Sequence, residues 1–248
     1  MFCLWFSNKN YDKMNTINWA GYEWFTRERW GELHPKKSWN WYNSDCVVKN
    51  GSNLELQIKR TPKLFSDIID EQTEEPILSL YGIGLIASVR TFKYGRYVLT
   101  AKLPQGHGIW SAFWLYPTEV WPPEIDVFEC YAENGTYKTN NIFNPYAIES
   151  CVHLKNKSLA PKRPSFCKTR KFDETAFNTF ELEWLPGHLK WIINDQTVRT
   201  ITNKKVLKAL NKHYMQVIIN THIMEKHQYT VKQKTPFILK QFYIKNHE

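Results

Sequence analysis

Along most of the chain, apolar and polar residues alternate with a period of two. Residues 54–58 (Leu-Glu-Leu-Gln-Ile), 96–102, 180–184, 189–193 and 215–220 carry β-branched or aromatic side chains at alternate positions and are bounded by turn formers. Each predicts a strand with one face turned to a core. Pro186-Gly187 and Asn194-Asp195 flank the strand at 189–193, so that region predicts a hairpin. Only residues 204–212 have helical spacing, and the stretch is short. The pattern breaks between Pro62 and Pro76, where the acidic run Asp67, Asp70, Glu71, Glu74 and Glu75 predicts a long loop. Many short strands with so little helix predict an all-β fold, a sandwich or jelly roll.

Size fits one such unit. A chain of 248 residues with 42% hydrophobic content can bury roughly 70–75% of its unfolded surface, and sandwiches of this length are commonly single domains. No linker or repeat divides residues 1–248, and residues 1–16 are expected to be a poorly ordered N-terminal extension. Aromatic residues make up 15% of the chain, with 11 Trp, 13 Tyr and 14 Phe. That exceeds what core filling asks for and predicts a surface that stacks a ligand. Lys and Arg outnumber Asp and Glu by 33 to 24, giving a net charge of +9, which leaves nucleic acid, anionic membranes and anionic glycans open as partners. No run approaches the roughly 18 apolar residues of a membrane span, and the apolar start at residues 2–6 is too short for a signal-peptide core. The compartment is left open. The five cysteines, Cys3, Cys46, Cys130, Cys151 and Cys167, lack the close pairs of metal or redox motifs and read mostly as free thiols.

Residues 106–131 carry the chemistry. In the first strand of this segment Trp110, Ala112 and Trp114 share one face, while Ser111, Phe113 and Leu115 share the other. In the second, Glu124 and Asp126 share a face, and a regular strand would send Glu129 to the opposite side. A β-bulge within Val127-Phe128 restores the parity. Ile125, Val127 or Phe128, and Cys130 then point into the core. Three carboxylates on one face push at least one pKa upward, which keeps one acid protonated beside an ionised neighbour. Two carboxyl groups about 5–5.5 Å apart suit retaining glycoside hydrolysis. The same spacing also fits an edge strand with solvated carboxylates.

Glu-Ile-Asp-Val-Phe-Glu at 124–129, preceded by Gly-Ile-Trp-Ser-Ala-Phe-Trp-Leu at 108–115, closely resembles the signature of glycoside hydrolase family 16. Further matches lie at Tyr94-Gly95-Arg96, at 180–184 with 189–191, and at 48–54, in the family's order, so the likeness spans roughly residues 40–245. It implies a β-jelly-roll sandwich of two curved antiparallel sheets whose concave face forms a cleft for a polysaccharide, cleaved internally with retention. By this resemblance Glu124 is the nucleophile, Glu129 the general acid/base, and Asp126 the residue assisting the nucleophile. The E-x-D-x-x-E spacing resembles the bulged branch of laminarinases, agarases and carrageenases rather than the unbulged lichenases. Trp110 takes the family's stacking position, and Trp114 shares its face by parity. His153 and Asn220 match further positions of the family's cleft, and Glu119 and Trp121, in the loop just before the catalytic strand, are expected to rim it; packing roles for Trp114, His153 and Asn220 stay open.

In two places the chain departs from the family. Lys240 stands where many members place an Asp that helps bind a structural calcium, and Pro122-Pro123 replaces glycines before Glu124. The other histidines are scattered without metal-ligand spacing, so no metal and no cofactor is expected. The leading expectation is a monomeric endo-acting hydrolase of β-1,3- or mixed-linkage glucan, without nucleic-acid or membrane-spanning partners. A hydrolase of β-linked galactans, including sulfated ones, is the alternative, and a non-catalytic glycan-binding jelly roll the remote one. The basic run Lys155, Lys157, Lys162, Arg163, Lys168, Arg170 and Lys171 is expected either to be a solvated loop or to edge the cleft against an anionic glycan.

Overall fold

The computed structural model describes residues 14–34, 37–70, 73–133, 136–139, 142–143, 147–155, 165–168, 173 and 175–245. Most of the basic run between 155 and 171, as well as Cys3 and Cys167, lies outside the described residues or their side chains.

Two antiparallel sheets form a jelly roll. The first has ten strands, and its central path runs Tyr22–Phe25, Leu85–Phe92, Met215–Ile223, Ile109–Tyr116, Glu124–Glu133. Ala147–His153 also pairs with Glu124–Glu133. The second has seven strands, ordered Gln196–Ile201, His188–Ile193, Asn178–Leu185, Gly95–Lys102, Phe237–Lys245, Asn53–Leu56, Val47–Asn50. Between them lies the principal core, in which Phe113, Leu115, Ile125, Phe128, Val217 and Ile219 from the first sheet meet Tyr97, Leu99, Phe180, Leu182, Trp191 and Phe242 from the second. Period-two alternation makes this possible, because every second residue of each strand is available to the core.

Sequence alternation located these strands well. Asn194 and Asp195 both have positive φ, at 47° and 64°, the geometry of a type I′ turn between paired strands. The Asn194 side chain accepts from Thr179 N at 2.8 Å and donates to Asn178 Oδ1 at 2.8 Å, fixing the turn onto its neighbour. The expected helix is present as Lys204–Leu210, capped by Asn203, with Val206, Leu207 and Leu210 buried.

The expected loop between Pro62 and Pro76 is a correction. Ile58–Ile69 forms a strand paired antiparallel with Pro76–Ile83, which in turn lies parallel to Lys37–Tyr42. Pro62 falls between Arg60 and Lys63, where the register shifts; on an edge strand and at a bulge the missing N–H breaks no ladder bond. Most of this strand's side chains are exposed or half-buried, Phe65 being the buried exception, so the chain lacks the apolar alternation that marks strands covered on one face. The small sheet lies against the outer face of the large one. A second cluster joins Tyr42 and Ile83 to Phe25, Leu85, Ala87, Tyr116 and Ile218.

Candidate active site

Glu124–Glu133 carries the predicted bulge. On one side Trp114 pairs with Asp126 and Phe113 with Phe128, leaving Val127 unmatched. On the other, Asp126 pairs with Cys151 and Glu129 with Glu149, so two residues of the bulged strand, Val127 and Phe128, answer one on its partner, Ser150. Val127 and Phe128 are both buried in the principal core. The extra residue is thereby absorbed on the apolar side, and Glu124, Asp126 and Glu129 share the outer face. Trp191, buried beneath the bulge, donates from Nε1 to the Asp126 carbonyl at 2.9 Å, while its ring carries the Arg199 guanidinium at 4.7 Å. Sequence reading placed Trp191 on a strand but not under the site.

The three carboxyl groups have different surroundings. Asp126 is 2% exposed; burial, reinforced by the charges of Glu124 and Glu129, pushes its pKa well above the ordinary carboxylate range. Glu124 Oε2 accepts from Trp121 Nε1 at 2.5 Å, and Trp121 itself is half-exposed at the surface. Glu129 Oε1 accepts from the Tyr131 hydroxyl at 3.3 Å. His153 reaches both of the first two carboxyls, with Nε2 at 3.2 Å from Asp126 Oδ2 and 3.9 Å from Glu124 Oε1. A hydrogen bond to Cys151 and the Glu124 charge outweigh its desolvation and raise the imidazole to about 9.

A fourth carboxyl was not singled out in the sequence. Glu149 is buried directly across the ladder from Glu129, and burial together with the Glu129 charge raises it to about 7. The alternation Glu149, Cys151, His153 was the available signal, because positions i, i+2 and i+4 of a strand share a face.

The aromatic residues divide by role. Trp110 is half-buried and stacks on Tyr131 with centroids 5.6 Å apart and planes 21° from parallel. Its neighbour on the other side is His222, also at 5.6 Å. Trp114 stacks on Tyr116 at 5.0 Å and donates to Asn220 Oδ1 at 2.7 Å. Asn220 is 1% exposed, so it holds the Trp114 indole in place and offers little surface to a ligand. The small sheet supplies a flank: Asn40 Oδ1 accepts from Ile223 N at 3.1 Å, Asn40 Nδ2 lies 3.4 Å from His222 Nδ1, and Trp39 Nε1 donates to the Ile223 carbonyl at 2.7 Å. The sequence pattern did not mark Lys37–Tyr42, which carries Trp39 and Asn40, as a strand. Lys240 is exposed, near the Phe177 ring. Among the described residues, one group of side chains has metal-ligating character: Asp126, Cys151 and His153.

Comparison with known proteins agrees with this geometry. The family model "Glycosyl hydrolases family 16" matches residues 33–235. A beta-glucanase of Rhodothermus marinus is 28% identical over 126 residues, 47% of this chain and 40% of that protein. A keratan-sulfate endo-1,4-beta-galactosidase of Sphingobacterium multivorum is 23% identical over 170 residues, 64% of this chain and 35% of that protein. The matched segments thus span less than half of these curated relatives. Among solved structures, the laminarinase catalytic domain of Thermotoga maritima superposes with a TM-score of 0.64 at 15% identity, covering 85% of this chain and 84% of that one, which is a likeness of fold. With a bulged carboxylate strand at its centre and a family match over most of its length, the chain belongs to the glycosyl hydrolases of family 16.

Proposed function

We propose that the protein is an endo-acting, retaining glycoside hydrolase of β-1,3- or mixed-linkage glucan. The observation that carries the reading is the bulge, which sets Glu124, Asp126 and Glu129 on one outer face while Val127 and Phe128 both enter the core. In this reading Glu124 attacks the anomeric carbon and Glu129 protonates the departing glycosidic oxygen. Glu129 then takes a proton from the water that releases the sugar from Glu124. The Trp121 indole orients the Glu124 carboxylate through its hydrogen bond. Buried Asp126, with a raised pKa, tends to stay neutral beside Glu124 and so limits repulsion within the cluster. Trp110 provides the ring on which a pyranose stacks, held by Tyr131. Trp114 and Asn220 act as a buttress beside it.

The chain acts alone on its polymer in this reading, and nucleic acid is disfavoured because a carboxylate cluster repels phosphates. The relatives named as beta-glucanases support a glucan. A galactan remains the second reading, favoured by the longer match to the Sphingobacterium galactosidase. Incubation with laminarin, lichenan, agarose, porphyran and carrageenans, read by new reducing ends, tests the choice. Early release of mixed oligosaccharides from laminarin or lichenan is expected. Cleavage confined to the galactans would transfer the assignment to them, and no cleavage of any polymer would overturn the enzymatic reading.

A further inference from the structure

From the same face we infer a binding site for a borderline-soft divalent cation such as Zn²⁺ or Co²⁺, formed by Asp126, Cys151 and His153, through which the metal blocks the carboxylate centre. Cys151 and His153 stand two apart on Ala147–His153 and therefore share a face, and Asp126 is the direct register partner of Cys151. One carboxylate oxygen, the thiol sulfur and one imidazole nitrogen lie within 4.8 Å of one another. The tightest pair, Asp126 Oδ2 and His153 Nε2, is at 3.2 Å. Zinc bonds of 2.0–2.3 Å imply ligand separations of about 3.3–3.6 Å in a tetrahedron, so modest side-chain rotation closes the set. Asp126 Oδ2 supplies a second pointer: it is buried and, beyond the 3.2 Å contact with His153 Nε2, finds no hydrogen-bond partner among the described residues. Such a group is costly to leave under-satisfied.

The donor set selects the metal. Thiolate and imidazole favour zinc-like ions over Ca²⁺ and Mg²⁺, which prefer oxygen shells. Cys151 and Asp126 are buried, whereas the His153 side chain is 43% exposed and gives an entry path. Three protein ligands leave a fourth position open, and Glu124 Oε1, at 3.9 Å from His153 Nε2, lies on that side. Binding would release to solvent the protons held by the Cys151 thiol, the His153 imidazolium and the neutral Asp126 carboxyl, and would engage both Asp126 and Glu124. The inhibitory consequence rests on the activity proposed above; the binding itself does not.

Titration of the metal-free full chain with Co²⁺, under a non-chelating reductant, tests the site. A near-ultraviolet thiolate-to-cobalt charge-transfer band should saturate near one equivalent, be displaced by Zn²⁺ and vanish with EDTA. Cys151→Ser should lose the band and His153→Ala should weaken it. Thermal melts establish that each variant is folded, and Cys151→Ala repeats the thiol test should the serine variant melt early. Glucan cleavage should be lost in step with the growing band and return on chelation. Absence of the band, or its persistence in Cys151→Ser, would overturn the site even in an active enzyme. A band in a protein that cleaves no polymer would retain the site and discard the hydrolase reading.

Discussion

Glu124 and Glu129 sit five residues apart but on one face, and their distinct partners give them distinct tests. Glu129→Gln should lower turnover by about 10²–10⁴-fold, the range for removing a catalytic acid or base, and Glu124→Gln, which removes the nucleophile, by at least as much, with little loss of thermal stability because both side chains sit in an acidic cluster. Azide separates their roles. With Glu124→Ala it should restore activity and give a glycosyl azide of inverted configuration, whereas with Glu129→Ala the azide product should be retained. Swapped products would reverse the assignment. The bulge was legible in the sequence, since an odd separation between Asp126 and Glu129 cannot otherwise share a face, whereas the roles of Glu124 and Glu129 came from the family resemblance, the spacing alone also fitting solvated carboxylates. Glu149 and the Trp191 anchor were not legible, since they reach the bulge from other strands, and register between strands is not written in the local pattern. Asn220 was read as a cleft residue on the resemblance, yet its burial and its bond to Trp114 place it in support of a neighbour.

Between elements, a partly buried ion pair outside the site joins Arg96 to Glu181, on the paired strands Gly95–Lys102 and Asn178–Leu185. The Glu181 side chain is only 4% exposed, against 34% for Arg96. Arg96→Ala would leave a buried carboxylate uncompensated at a cost on the order of 3 kcal/mol, the low end for a buried pair because Arg96 is partly solvated. Replacing both, as Arg96→Met with Glu181→Leu, should recover most of that loss in urea unfolding. A single variant as stable as the parent would show that the pair contributes nothing. Strand pairs of this sheet were predictable because each presents one apolar and one polar face. The hairpin of Ile58–Ile69 and Pro76–Ile83 was not: an edge strand wet on much of its surface, interrupted by Pro62 and register shifts, carries no period-two apolar signal.

At the scale of the whole molecule, pH sets stability through the carboxyls whose pKa differs between folded and unfolded chains. Glu183 accepts from Lys190 at 2.8 Å, and His188 Nε2 lies 2.7 Å from the same oxygen. These partners lower it from 4.5 to about 2. A depressed carboxyl stabilises fully above its unfolded pKa and loses that contribution as pH falls from about 4.5 to 2. With the Lys190 and His188 side chains about a third exposed, screening limits the gain to about 1 kcal/mol. Thermal melts of Glu183→Gln should therefore match the parent near pH 2 and fall below it at pH 5 and above; an unchanged difference across that range would rule the linkage out. EDTA should leave the melting temperature of the protein as purified unaltered, because Lys240 stands exposed where the family resemblance leads one to expect a calcium-binding Asp. A drop of several degrees with EDTA would reveal a structural cation elsewhere.

In the proposed mechanism the bulge turns Glu124 and Glu129 toward one reacting centre, as a double displacement requires. Proton NMR of the first products, recorded on a β-linked glucan before mutarotation equilibrates them, tests it most directly. The β anomer should appear first; initial appearance of the α anomer would rule out double displacement.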